Sequence, residues 1–332
     1  MSMFTLACIR SNVMQRIEFL DDVKALATVM VVFLHSYSVL CYQQLSITTF
    51  DWSVAVFYDS MVRPAVPLFL MASGAVMLAK DYSLKTFFID KVLLRLFVPY
   101  CFYAYFYWNA NASLSNPMSI CYHFAFVGII ITIYLLYPLF RQCVVAMEQS
   151  PSLLVYFICL WFLCVLLSNF FPQVTIFSNN PYFLYMGYPV AGYFLRKNTI
   201  TATFPVKNLF VAYVCVVVFT YAMTIYLSLK KQVFDETYFS YLHFNVVVMS
   251  ILAFVMLKHF QVFSVLNSQS AHRMKMFLSQ HSYGIFFIHP LFLEQLYGLH
   301  GSLNTLVSGV AICFSALCAS AVCIYIPGVA PI

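Results

Sequence analysis

The sequence predicts an all-α, polytopic membrane protein with about ten transmembrane helices around a central polar chamber. Three observations point there. Of the 332 residues, 63% are hydrophobic and only 8% charged, where an ordinary soluble domain has roughly a quarter charged. The apolar residues run continuously, as in VMVVFLH, VGIIITIYLLYPLF and VVVMSILAFVML, whereas barrel strands would alternate; helices satisfy their own backbone in lipid. The basic residues are also one-sided. With the N-terminus inside, fourteen of the 17 Lys and Arg residues face the cytoplasm, and Arg63, Lys230 and Lys231 fall outside, which is an inside-positive topology.

The helices are expected at 21–42, 56–79, 93–108, 121–140, 152–170, 182–195, 208–228, 239–257, 279–297 and 304–326, the third and sixth being short for a core ~30 Å thick. The first, DDVKALATVMVVFLHSYSVLCY, carries Lys24 at its start and His35 near its far end. The second, DSMVRPAVPLFLMASGAVML, pairs Asp59 with Arg63 near the outer surface, kinks at Pro67, and leaves little bulk at Ser73-Gly74 for close helix approach. The inner loop behind it gathers Lys80, Lys85, Lys91 and Arg95 ahead of the third helix. That cluster reads either as a topology signal or as a cationic mouth for a phosphorylated cytoplasmic ligand. The fourth helix has His123 near its outer end and Tyr134 and Pro138 toward its inner one; the ninth carries His281, Ser282, Tyr283, His289 and Glu294.

Residues 1–20 are expected to remain as a cytoplasmic segment, since Arg10 and Arg16 break their apolar patch and no signal cleavage site stands out. Residues 21–326 form the membrane domain and 327–332 a cytoplasmic tail. The net charge of +6 is spread between spans, so no nucleic-acid partner is expected. The eleven cysteines include no CxxC pair and no Cys/His ligand spacing, so no metal is expected; one disulfide among Cys41, Cys101 and Cys121 stays open.

Lys24 and His35 are eleven positions apart, about three turns, so they share a face roughly 16 Å apart along the axis. That face reads Lys24, Thr28, Val31, His35, Ser38 and Tyr42. A polar stripe on a span turns toward protein or a water-filled cavity; equally, Lys24 snorkels and His35 is a packing residue. Histidines at positions 35, 123, 281 and 289, on three helices, favour an internal chamber. Neutral histidines there are suited to proton transfer. A ligand with anionic groups near Lys24 and a reactive end near His35 spans roughly 15 to 20 Å, the shape of a coenzyme A thioester. The same residues also fit a proton-coupled transporter or glycan exporter.

The chain further resembles the membrane-bound acyltransferase-3 family, and in it the stand-alone branch that includes the enterobacterial common antigen O-acetyltransferase. The family's Leu-Asp-x-x-Arg segment with a downstream His is matched by Leu20, Asp21, Lys24 and His35, with Lys in place of Arg. Its Pro-Leu-Phe-Phe-x-x-Ser-Gly segment, preceded by an Arg, is similar to Arg63 and Pro67 through Gly74. Arg95 to Tyr100 resembles its Arg-Leu-x-x-Pro-Tyr, and Tyr122, His123, Tyr134, Leu135 and Pro138 match its Tyr-His start with a later Tyr-Leu-x-x-Pro; Ala125 stands where a Trp is frequent. His281, Ser282, Gly284, Ile285 and His289 match its His-Ser-x-Gly-Ile with a later His.

The resemblance implies an O-acyltransferase of the bacterial inner membrane. Such an enzyme would move an acetyl or other short acyl group from cytoplasmic acyl-CoA to a hydroxyl of a cell-surface or lipid-linked glycan. It implies His35 as the catalytic residue, with Lys24, Lys91 and Arg95 holding the donor. Arg63, Ser73, His123, Tyr134, Ser282 and His289 would line the chamber, contact the acceptor or stabilise the oxyanion.

Overall fold

Residues 17–39, 45–110, 124–173, 181–198, 204–260, 268–299 and 313–318 are described in a computed structural model, and no strand occurs among them. Helix α1, Glu18–Val39, places Glu18 and Asp21 in its first turn, where carboxylates offset the unbonded amides of a helix start. Tyr42 and His123, and the bounds of the last expected helix, lie outside the described residues; helical residues 313–318 fall within that helix.

The expected second helix is two: α2, Phe50–Val62, and α3, Ala65–Met77. Thr49 caps α2 by accepting the Trp52 amide at 3.3 Å. The break falls at Arg63–Pro64 and not at Pro67. Pro64 lacks an amide to continue α2 and restricts the residue before it, whereas Pro67 lies in the first turn of α3, where a missing N–H leaves no bond unmade.

The expected third helix starts earlier. A turn at Leu84–Thr86, capped by the Ser83 hydroxyl on the Thr86 amide at 3.2 Å, leads into a π-helix, Phe87–Phe97, and then α4, Val98–Ala110. The buried positions of the π-helix are Phe87, Val92 and Leu96, spaced by five and four. That spacing is wider than an α-helical face and fits i→i+5 winding.

The remaining elements are α5, Phe124–Glu148; α6, Pro151–Phe170; a turn at Tyr182–Tyr185; α7, Gly187–Lys197; α8, Val206–Lys231; a 3₁₀ turn, Thr237–Phe239; α9, Phe244–His259; and α10, Gln269–Leu299. Among the described residues, five helical stretches are long and apolar enough to cross a membrane: Phe50–Met77, Phe126–Glu148, Ser152–Phe170, Val206–Lys231 and Thr237–His259. Their outward apolar side chains, such as Leu139, Tyr156 and Phe210, suit contact with lipid. This is an all-α membrane protein.

Two packings set the core. α1 lies along α10, joined at one end by Ser279 Oγ donating to Asp21 Oδ1 at 2.6 Å and by the buried Lys275–Asp22 ion pair at 3.4 Å. At the other end His35 meets His289. Asp22 to His35 and Lys275 to His289 are thirteen and fourteen residues, so the two helices run parallel and in step for about 20 Å. α3 crosses α7 with near backbone contact: a Cβ on Gly74 would lie 2.2 Å from the Pro189 carbonyl oxygen, and one on Gly192 would lie 2.1 Å from that of Met71. The expected close approach at Ser73-Gly74 is therefore present, and Gly192 supplies its other half.

Candidate active site

The expected site residues collect into three groups. In the first, His35 on α1 and His289 on α10 are both buried, and His35 Nδ1 lies 2.6 Å from His289 Nε2. Ring centroids are 4.9 Å apart with planes 5° from parallel. The hydrogen bond plus two ring radii of about 1.2 Å nearly fills that separation, so the rings meet edge to edge in one plane. His289 Nδ1 faces the Ile285 carbonyl at 2.9 Å.

In the second group, on α3 and α5, the Tyr137 hydroxyl donates to Ser73 Oγ at 3.0 Å and Ser73 donates to the Tyr134 hydroxyl at 3.1 Å. Sequence reasoning found Ser73 and Tyr134 and missed Tyr137. Its signal was present: Tyr134 and Tyr137 are three apart, on one helix face. The Arg95 charge bears on Tyr134, Tyr82 and Lys91, and the Lys91 ammonium lies 5.9 Å from the Tyr82 ring centre. A cavity of about 260 Å³ adjoins this group, lined by Met77, Lys80, Tyr82, Phe87, Tyr137 and Arg141 among others. Burial, then the Arg95 and Lys80 charges, press the Lys91 ammonium below its ordinary range. A cation held that way is stabilised by an arriving anion.

The third group is Arg63, Asp59 and Phe239. Arg63 donates to the Asp59 carboxylate as expected, but the pair is buried, not solvated. Its guanidinium also sits 4.0 Å from the Phe239 ring centre and reaches the Phe239 carbonyl at 3.4 Å. Phe239 shares a buried cluster with Tyr37, two residues beyond His35, which puts Arg63 at the His35 end of α1.

Two further expected residues lie on α10 and α1. Ser282 donates to the Ser279 carbonyl of its own helix at 3.3 Å, and Lys24 is half-buried on α1, its carbonyl accepting the Thr28 hydroxyl at 2.8 Å. Cys101 is an exposed free thiol; Cys41 and Cys121 lie outside the described residues.

A buried imidazole pair suits general-base chemistry on a hydroxyl, and the separate Lys91 and Arg95 cations suit an anionic donor. The acyltransferase-3 family model, described as an acyltransferase domain, matches residues 17–325. The chain belongs to the acyltransferase-3 family. That match covers every described helix, and it makes this chain a membrane acyltransferase. No curated protein and no solved structure matches it.

Proposed function

We propose that the protein moves an acetyl or other short acyl group from cytoplasmic acyl-CoA to a hydroxyl of a cell-surface or lipid-linked glycan. On this reading it sits in a bacterial inner membrane with both termini cytoplasmic, as in the stand-alone branch of the family. The observation that carries the reading is a buried His35, hydrogen-bonded to a histidine of a second helix, in a chain of an acyltransferase family.

The acceptor oxygen attacks the thioester carbonyl carbon while its proton passes to His35. The tetrahedral oxyanion collapses, the C–S bond breaks, and the leaving sulfur takes that proton, so ester and free thiol are the products. Lys24, Lys91 and Arg95 hold the donor's phosphates by charge. Arg63, Ser73 and Tyr134 line the chamber, and a donor aimed at the developing oxyanion is worth most in such a dry site.

Labelled acetyl-CoA with purified protein and lipid-linked glycans from the host membrane tests this. Label appears on glycan with release of free thiol, and His35→Ala abolishes both without loss of membrane insertion. Substrate movement that follows a proton gradient and releases no thiol would identify a transporter and end this reading.

A further inference from the structure

We infer that His289 is a positioning residue that fixes the tautomer of His35, making His35 Nε2 the nitrogen that takes the acceptor's proton. The inference rests on the acyl-transfer reading for its catalytic meaning, and on geometry alone for the tautomer.

A carbonyl oxygen only accepts, so the His289 nitrogen facing the Ile285 carbonyl at 2.9 Å is the protonated one, Nδ1–H. The Phe286 carbonyl is a second acceptor for the same ring. Pro290 offers it no amide, because proline four residues on removes that helical donor. The sequence His289-Pro290 thus provides both the ring and an acceptor for it. In the neutral ring Nε2 then holds the lone pair, and it lies 2.6 Å from His35 Nδ1. His35 Nδ1 must therefore carry a proton, and the His35 lone pair is on Nε2.

The near-coplanar meeting of the rings aligns donor and acceptor. When His35 Nε2 takes the hydroxyl proton, the positive charge that forms is shared through Nδ1–H with His289 and the carbonyls behind it. This is the part a buried carboxylate plays behind other catalytic histidines. Here the orienting acceptor is a neutral ring, which adds no buried charge to an apolar bundle.

The test uses purified full-length protein with ¹⁵N-labelled histidine and no substrate, alongside kinetics with acetyl-CoA and host lipid-linked glycans. His35 is expected to show a protonated Nδ1 and a bare Nε2, and this preference is lost in His289→Leu. In His289→Gln the amide oxygen still accepts from Nδ1–H and the preference persists. Turnover is expected to fall at least about 100-fold in His289→Leu, with part regained in His289→Gln. The acetyl-CoA KM should change less than about twofold, since positioning acts on the chemical step.

A wild-type His35 protonated on Nε2, or a His289→Leu protein with turnover within twofold of wild type, would overturn the inference. If wild type releases no thiol from acetyl-CoA, the acyl-transfer reading fails instead, and the spectrum still decides the tautomer.

Discussion

At the scale of single residues, the hydroxyl chain from Tyr137 through Ser73 to Tyr134 has a direction. Ser73 accepts one bond and donates the next, which leaves the Tyr134 proton as the chain's onward donor. Ser73→Ala strips the buried Tyr137 hydroxyl of its acceptor and is expected to cost about 1–3 kcal/mol of stability, seen as a lower melting temperature in detergent. Tyr134→Phe removes the terminal donor and the acceptor of a half-buried Ser73 hydroxyl, so acyl transfer should fall with a smaller loss of melting temperature than in Ser73→Ala. Equal melting losses in the two variants would contradict the directed chain. The sequence marked Ser73 and Tyr134, but a hydroxyl's partner lies on another helix, and no spacing within one helix specifies it.

Among the elements, α3 and α7 are locked by the absence of side chains. Gly74→Ala would drive a methyl into the Pro189 backbone and Gly192→Ala into that of Met71. Backbone cannot swing aside as a flexible side chain can, so each substitution is expected to cost about 1–3 kcal/mol. The measurement is thermal unfolding in detergent; an unchanged melt for both would show that α3 and α7 separate without penalty. The ends of these helices are held by basic residues. Arg141 donates to the Leu78 carbonyl at 2.8 Å and Arg196 to that of Ala75, capping α3, while Lys258 donates to Leu195 at 2.7 Å and Asn198 at 2.6 Å, capping α7. Residues that read as topology signals in the sequence thus also satisfy terminal carbonyls.

Over the whole molecule, the parallel pair of α1 and α10 is pinned near both ends. Buried Asp22 and Lys275 anchor α1 to α10 at one end, and His35 and His289 meet at the other. The cationic group of Lys80, Lys91 and Arg95 belongs to the segment between α3 and α4. Since burial and then the Arg95 and Lys80 charges lower the Lys91 pKa from its ordinary 10.5, its charge is lost as pH rises sooner than that of a solvated lysine. The acetyl-CoA KM should accordingly rise on the alkaline side before pH 10.5 is reached. Lys91→Gln should raise KM at neutral pH with little change in kcat and flatten that rise. A KM that ignores both pH and Lys91→Gln would remove this residue from donor binding.

Composition and continuous apolar runs were enough for the all-helical membrane class, because a backbone in lipid has few other ways to satisfy its polar groups. The ordered motifs were enough for the family, and the family model spans nearly the whole chain. Local spacing also gave the Asp59–Arg63 pair and the small-residue contact at Gly74, both of which depend on one helix's own periodicity. The split at Pro64 and the π-winding of Phe87–Phe97 were less visible, since neighbouring prolines and short amphipathic stretches permit several local solutions that packing then selects. What only the tertiary structure decided is which polar groups face each other. His35 and His289 stand 254 residues apart, and their 2.6 Å bond exists because two parallel helices are held in step by polar contacts a dozen or so residues away.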